Sequence, residues 1–147
     1  MNEQARLAVV AEARTWVGTP FHHAARIKGA GVDCANLLVA VFAATGLIPD
    51  LALEHYPQDW HMHRDEPRFM DMLSLYADPV PEGDAQPGDI AMFRYGRHAA
   101  HGAIVAGWPV VIHAWRDAGK VVMTEANAGP LGERLVGCWR LKAWAES

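Results

Sequence analysis

The chain has 147 residues, 51% hydrophobic and 20% charged, a composition that suits one globular domain over residues 1–147 with a core that needs no disulfide or metal staple. A formal net charge of −4, with no cluster of Lys and Arg, offers no surface to a phosphate backbone, so nucleic acid is not expected as a partner. No apolar run approaches the roughly 18 residues of a membrane span, and Met1-Asn2-Glu3-Gln4-Ala5-Arg6 lacks the basic start and apolar centre of a signal peptide, so no membrane partner and synthesis in the cytoplasm are expected.

Residues from about 3 to 16 carry Leu7, Val10, Ala13 and Val17 at helical spacing and are ended by Gly18-Thr19-Pro20, which predicts a first helix. A loop from Gly18 to Val32 then leads to Asp33-Cys34, where Asp33 is a good N-cap. Leu37, Leu38, Val41 and Phe42 form one helical face, and Gly46 followed by Pro49 supplies the stop. Leu51 to Trp60 reads as irregular. Asp65-Glu66-Pro67 opens a third helix with a stripe of Phe69, Met72, Leu73 and Tyr76. The stretches Pro79-Val80-Pro81-Glu82-Gly83 and Gln86-Pro87-Gly88-Asp89 read as breakers. Beyond them the period changes: Ile90–Arg94, Gly102–Ala106, Val110–Trp115, Val121–Thr124 and Leu135–Leu141 are short β-branched or aromatic runs between turn residues. Helices first and strands second predict an α+β fold, with N-terminal helices packed on a C-terminal antiparallel sheet of about five strands.

Two cysteines are present, Cys34 and Cys138, far apart in a chain with no export signal, so both thiols are expected to be free. Cys34 falls in the first turn of its helix, where unpaired N–H groups and the positive end of the helix dipole favour a thiolate. A lone cysteine on a helix is more often a small core hydrophobe, so partners elsewhere decide its role. Cys138, between Gly137 and Trp139 in the last strand, reads as core, and Trp108, Trp115, Trp139 and Trp144 read as core or cleft walls.

His101 and His113 supply the partners. A hairpin centred on Gly107 places them directly opposite each other on one sheet face, with Cβ atoms roughly 4.5–5.5 Å apart. Ala103, Val105, Val111 and Trp115 share that face, which the Cys34 helix is expected to cover. Thiol, base and orienting group then meet in one cleft, with His101 taking the Cys34 proton and His113 fixing the tautomer of His101.

At these residues the chain resembles a known family. Trp16-Val17-Gly18-Thr19-Pro20-Phe21, Gly31-Val32-Asp33-Cys34, Gln86-Pro87-Gly88-Asp89-Ile90-Ala91-Met92-Phe93, His101-Gly102-Ala103-Ile104-Val105 and Ile112-His113-Ala114 resemble, in order, the motifs of NlpC-type cell-wall cysteine peptidases. The resemblance implies a papain-like core, a Cys-His-His triad at Cys34, His101 and His113, and cleavage of peptidoglycan stem peptides, commonly between γ-D-glutamate and meso-diaminopimelate. The segment from His55 to Asp65 is similar to the branch found in phage tails and gene transfer agents, which implies phage-like tail proteins as partners and incorporation in the particle. Asp33, Phe21, His23 and Trp115 are the expected substrate-binding residues. Two departures stand out: Ala35-Asn36 where many members have Ser-Gly, and Phe21 where many have tyrosine.

The mechanism implied needs no cofactor and no metal. His61 and His63, with Asp59 and Asp65, could be read as a metal site, but alternate histidines on a polar loop are more often solvated. Three alternatives stay open at this level: a zinc hydrolase using Cys34, His101 and His113 as ligands, an acyltransferase with the same residues, and a tail or wall-binding component without activity.

Overall fold

In a computed structural model, the structure describes residues 3–51, 68–95 and 98–145. The first helix, α1 (Glu3–Arg14), buries Val10 and Ala13 as expected, but its buried face is completed by Arg6 and Val9, while Leu7 and Val17 are exposed. After it the chain turns through Gly18, at φ +93°, and enters a small hairpin of β1 (Arg26–Ile27) and β2 (Gly31–Val32). The second helix, α2 (Cys34–Ala44), starts and stops where its sequence signals lie. The Asp33 carboxylate accepts the Asn36 N–H at 2.9 Å, and Gly46 follows the C-cap at φ +79°. The third helix, α3 (Arg68–Tyr76), buries Leu73 against the core, with Met72 and Tyr76 half-buried beside it. Its expected opening at Asp65-Glu66-Pro67, and all of the His55–Asp65 segment, lie outside the described residues.

The remaining chain builds one antiparallel sheet from β3 (Ala77–Val80), β4 (Ile90–Tyr95), β5 (His98–Gly107), β6 (Val110–Trp115), β7 (Lys120–Glu125) and β8 (Leu135–Leu141). Its six strands run in the order β3-β8-β4-β5-β6-β7, one more than the five the sequence predicts. The extra strand is the Pro79-Val80 stretch, which reads as a breaker because proline cannot donate to a ladder. It pairs with β8 at the edge of the sheet, where one side of a strand needs no partner. Two short helices, α4 (Gly129–Gly132) and α5 (Lys142–Ala145), flank β8.

Alternation along the strands divides the core. Ile90, Met92, Ile104, Ile112 and Ala114 face Leu37, Leu38, Val41 and Phe42 of α2, together with α1. Ala91, Phe93, Ala103, Val105 and Val111 face the other way beside Cys138 of β8, the strand partner of Ala91, and cluster there with Ala126 and Leu131. The covering of the histidine face by the Cys34 helix, expected from the sequence, is therefore corrected. The residues that α2 covers are the even-numbered ones of β5 and β6, whereas His101 and His113 belong to the odd-numbered set.

The Gln86–Asp89 stretch does more than break a pattern. Asp89 is fully buried and its carboxylate receives Arg6 Nη1 at 2.9 Å, Arg140 Nη2 at 2.9 Å and the Gln86 N–H at 2.8 Å. Two cations and a backbone donor make this buried charge tolerable, and they tie α1 and β8 to the start of β4. Gly88, at φ +88°, lets the ring of Trp144 approach so closely that a Cβ would lie 2.4 Å from Cη2.

Candidate active site

Cys34 and Cys138 are both free thiols, as expected, with Cys34 half-buried and Cys138 buried in β8. The first turn of α2 presents its backbone to the Cys34 sulfur, which also receives the N–H of Gly102, the residue after His101. Helix start and central strand thus meet at the thiol. Its acidity differs from the sequence expectation: burial, then the neighbouring Asp33 carboxylate, push the Cys34 thiol up to about 12, outweighing the N–H groups of Gly102, Ala35 and Cys34 that pull the other way. At rest this cysteine is a thiol, and to act as a nucleophile it would need a base.

His101 and His113 are both buried, at 6% and 0% exposure. Nε2 of His101 and Nδ1 of His113 share a hydrogen bond of 2.7 Å. The register differs from the one read off the sequence. Ile104 pairs with Ile112 and Val105 with Val111, and the ladder shifts between Val105 and Gly107, so the two histidines are diagonal neighbours and not direct partners. The offset is two residues, which preserves the face, and diagonal positions remain within reach of ring side chains. Burial and the facing His113 hold His101 well below the usual imidazole range, and burial lowers His113 to about 4. Both rings are neutral at pH 7, the form that can accept a proton.

Aromatic rings close around the pair. Trp115 stacks on His113 with centroids 5.2 Å apart, Phe93 lies 5.7 Å from His101, and Tyr95 meets His101 edge-on at 5.6 Å. The Tyr95 hydroxyl accepts the Trp115 indole N–H at 3.0 Å. On the outer side, His113 Nε2 lies 2.8 Å from Thr124 Oγ1. Neither Tyr95 nor Thr124 stands out in the sequence. Continuing the alternation one step past Phe93 finds Tyr95, and a hairpin centred between Asp117 and Ala118, as observed, finds Thr124 diagonal to His113.

The residues expected to bind substrate are distributed unevenly. Trp115 stands at the histidine pair, half-buried. Asp33 adjoins Cys34, but its carboxylate is turned inward, holding Asn36 N and Nδ2 at 2.9 Å each and the Ala24 N–H at 2.7 Å. Phe21 packs half-buried against the main core and bridges to Val32, which brings it close to the start of α2. His23 is half-buried on the loop before β1, where its carbonyl accepts from His22 Nδ1 at 3.1 Å. Asn36, a departure from the family pattern, fastens that loop to the helix start. It is buried between Asp33 and Arg26 and accepts Arg26 Nε at 2.8 Å. The candidate metal residues His61 and His63 lie outside the described residues, and among the described residues no cluster of three metal-ligating side chains occurs.

Comparison with known proteins agrees with the fold. No curated protein matches the chain. The fold is similar to that of a lipoprotein-like NLP/P60 family protein from Staphylococcus aureus, at 18% identity and a TM-score of 0.69, over 96% of this chain and 42% of that one. It is similar to an NlpC/P60 family protein from Bacillus cereus, at 20% identity and a TM-score of 0.69, over 92% of this chain and 39% of that one. A third similar structure is the peptidoglycan hydrolase RipB from Mycobacterium tuberculosis, at 18% identity and a TM-score of 0.61, over 92% and 63% of the two chains. The chain thus spans about two fifths of the first two structures. The model of the NlpC/P60 family matches residues 18–140, from the loop before β1 through β8, and the chain belongs to that family.

Proposed function

We propose that this protein is a cysteine endopeptidase acting on peptidoglycan stem peptides, with Cys34 as nucleophile, His101 as base and His113 as the group that orients it. The observation that carries the reading is the His101–His113 hydrogen bond beside a helix-start thiol. Because Nε2 of His101 is engaged by His113, Nδ1 is the nitrogen left to accept the thiol proton. The sulfur then attacks the amide carbon, with the backbone N–H of Cys34 as a donor to the oxyanion. His101 returns the proton to the departing amine, and water hydrolyses the thioester, restoring the thiol and releasing the carboxylic acid. Facing nitrogens spent on each other favour this acid–base arrangement over zinc ligation by the same three residues, which needs those lone pairs turned to one metal.

The bond we assign is the one between γ-D-glutamate and diaminopimelate, and Asp33, Phe21, His23 and Trp115 are proposed to contact the peptide. Membership of the NlpC/P60 family and similarity to a structure named as a peptidoglycan hydrolase support the substrate class. Digestion of purified peptidoglycan followed by mass spectrometry tests the bond. A new free amine on diaminopimelate is expected; a new free amine on L-alanine would redirect the assignment to another amidase class.

We further propose that the protein acts as part of a phage-like particle tail, a reading supported by the sequence of the His55–Asp65 segment. Proteomics of purified particles from the source organism should find the chain in stoichiometric amounts with tail proteins. Particles that lack it while the soluble fraction contains it would contradict this placement.

A further inference from the structure

From the geometry behind His113 we infer that Thr124 is a positioning residue for the reaction, the outer end of a hydrogen-bonded chain Thr124–His113–His101 that fixes which nitrogen of His101 is free. This rests on the proposed roles of Cys34 and His101. For His101 to accept a proton at Nδ1, its own proton must sit on Nε2 and point at His113 Nδ1, 2.7 Å away. His113 Nδ1 is then an acceptor, so its proton sits on Nε2 and points at Thr124 Oγ1, 2.8 Å away. Thr124 must accept. Its surroundings allow that: Thr124 is half-buried in β7 and lines a cavity of about 320 Å³ with Trp115, Glu125 and Leu131. The hydroxyl hydrogen can turn into this space and leave a lone pair for the ring.

The opposite tautomer, with His113 donating from Nδ1, would force the remaining proton of neutral His101 onto Nδ1 and block the base. A lost acceptor at position 124 leaves the productive form with an unpaired ring N–H, at the cost of one hydrogen bond. Register places Thr124 for this. Val111 pairs with Thr124 and His113 with Val122, so residue 124 lies on the histidine face one diagonal step from His113.

The test compares wild type with Thr124→Val, Thr124→Ala and Thr124→Ser, reading kcat and KM on a stem-peptide substrate and the imidazole nitrogen resonances of His113 in the substrate-free protein. Valine keeps the shape and removes the acceptor; alanine serves if valine does not fold. The expected result is a kcat about tenfold lower for valine or alanine with KM little changed, loss of the dominant Nε2–H form of His113, and recovery of both by serine. A kcat within twofold of wild type, or an Nε2–H population that does not move when threonine is replaced, overturns the inference. Full turnover by Cys34→Ala would overturn the underlying catalytic reading instead, and the resonances of His113 answer for Thr124 independently of turnover.

Discussion

His101 and His113 are bonded ring to ring at 2.7 Å, although the strand register makes them diagonal and not direct partners. The turn is centred beyond Gly107, and after the shift between Val105 and Gly107 the net offset is two residues, which the rings span. The pair is buried and both members are neutral, so Nε2 of His101 is committed to His113 and Nδ1 is not.

On the proposed roles, the two histidines should have unequal effects on turnover. His101→Ala removes the base and should lower kcat by about 10²- to 10⁴-fold. His113→Asn keeps a polar partner for Nε2 of His101 and should retain part of the activity. Steady-state kinetics on a stem peptide checks this. Survival of His101→Ala beside a dead His113→Asn would reverse the assignment.

Alkylation separates the thiols. Cys138 is 1% exposed and Cys34 is half-buried, so iodoacetamide should modify Cys34 first in the native protein. Because the Cys34 thiol titrates at about 12, its rate should keep rising about tenfold per pH unit from pH 7 to 10. A rate that levels off below pH 8 would mean a preformed thiolate.

Acid should destabilise the fold through His113. Its folded value is lowered to about 4 from an ordinary 6.5, so below pH 6.5 the unfolded chain binds a proton that the folded chain refuses. The His113 contribution is present in full above pH 6.5 and is lost as pH falls toward about 4, a difference of about 3 kcal/mol. Urea titrations at pH 7.5 and 4.5 measure it together with the same-sign contribution of buried His101, and His113→Gln should make the profile shallower over this window.

Asp89 is the strongest stability prediction. Replacing it with alanine leaves Arg6 charged and 3% exposed, and breaking such a buried pair costs about 3–5 kcal/mol. The urea midpoint of Asp89→Ala should fall accordingly, and that of Arg6→Ala should fall by less, because Arg140 and the Gln86 N–H still hold the carboxylate. A shift below about 1 kcal/mol would contradict the role assigned to this cluster.

The legible parts of the fold are those governed by local rules. Asp33 capping, the stops at Gly18 and Gly46, and the strand periodicity after Asp89 are carried by single residues or by spacing. The His101–His113 pairing is reachable from sequence because parity survives a two-residue shift. The shift between Val105 and Gly107, the edge strand through Pro79 and the face covered by α2 are not, since each is set by packing between distant segments. The same holds for the acidity of Cys34. Its helix-start donors are visible in the sequence, whereas the burial that outweighs them depends on where β5 passes at Gly102.

The most direct test of the central claim is turnover of a synthetic stem peptide by wild type and by Cys34→Ala, each with and without a metal chelator, with product amines quantified. The account predicts wild-type release of the amine unaffected by chelation, and no release above background by Cys34→Ala. Amine release that survives loss of Cys34, or that chelation abolishes, would contradict it.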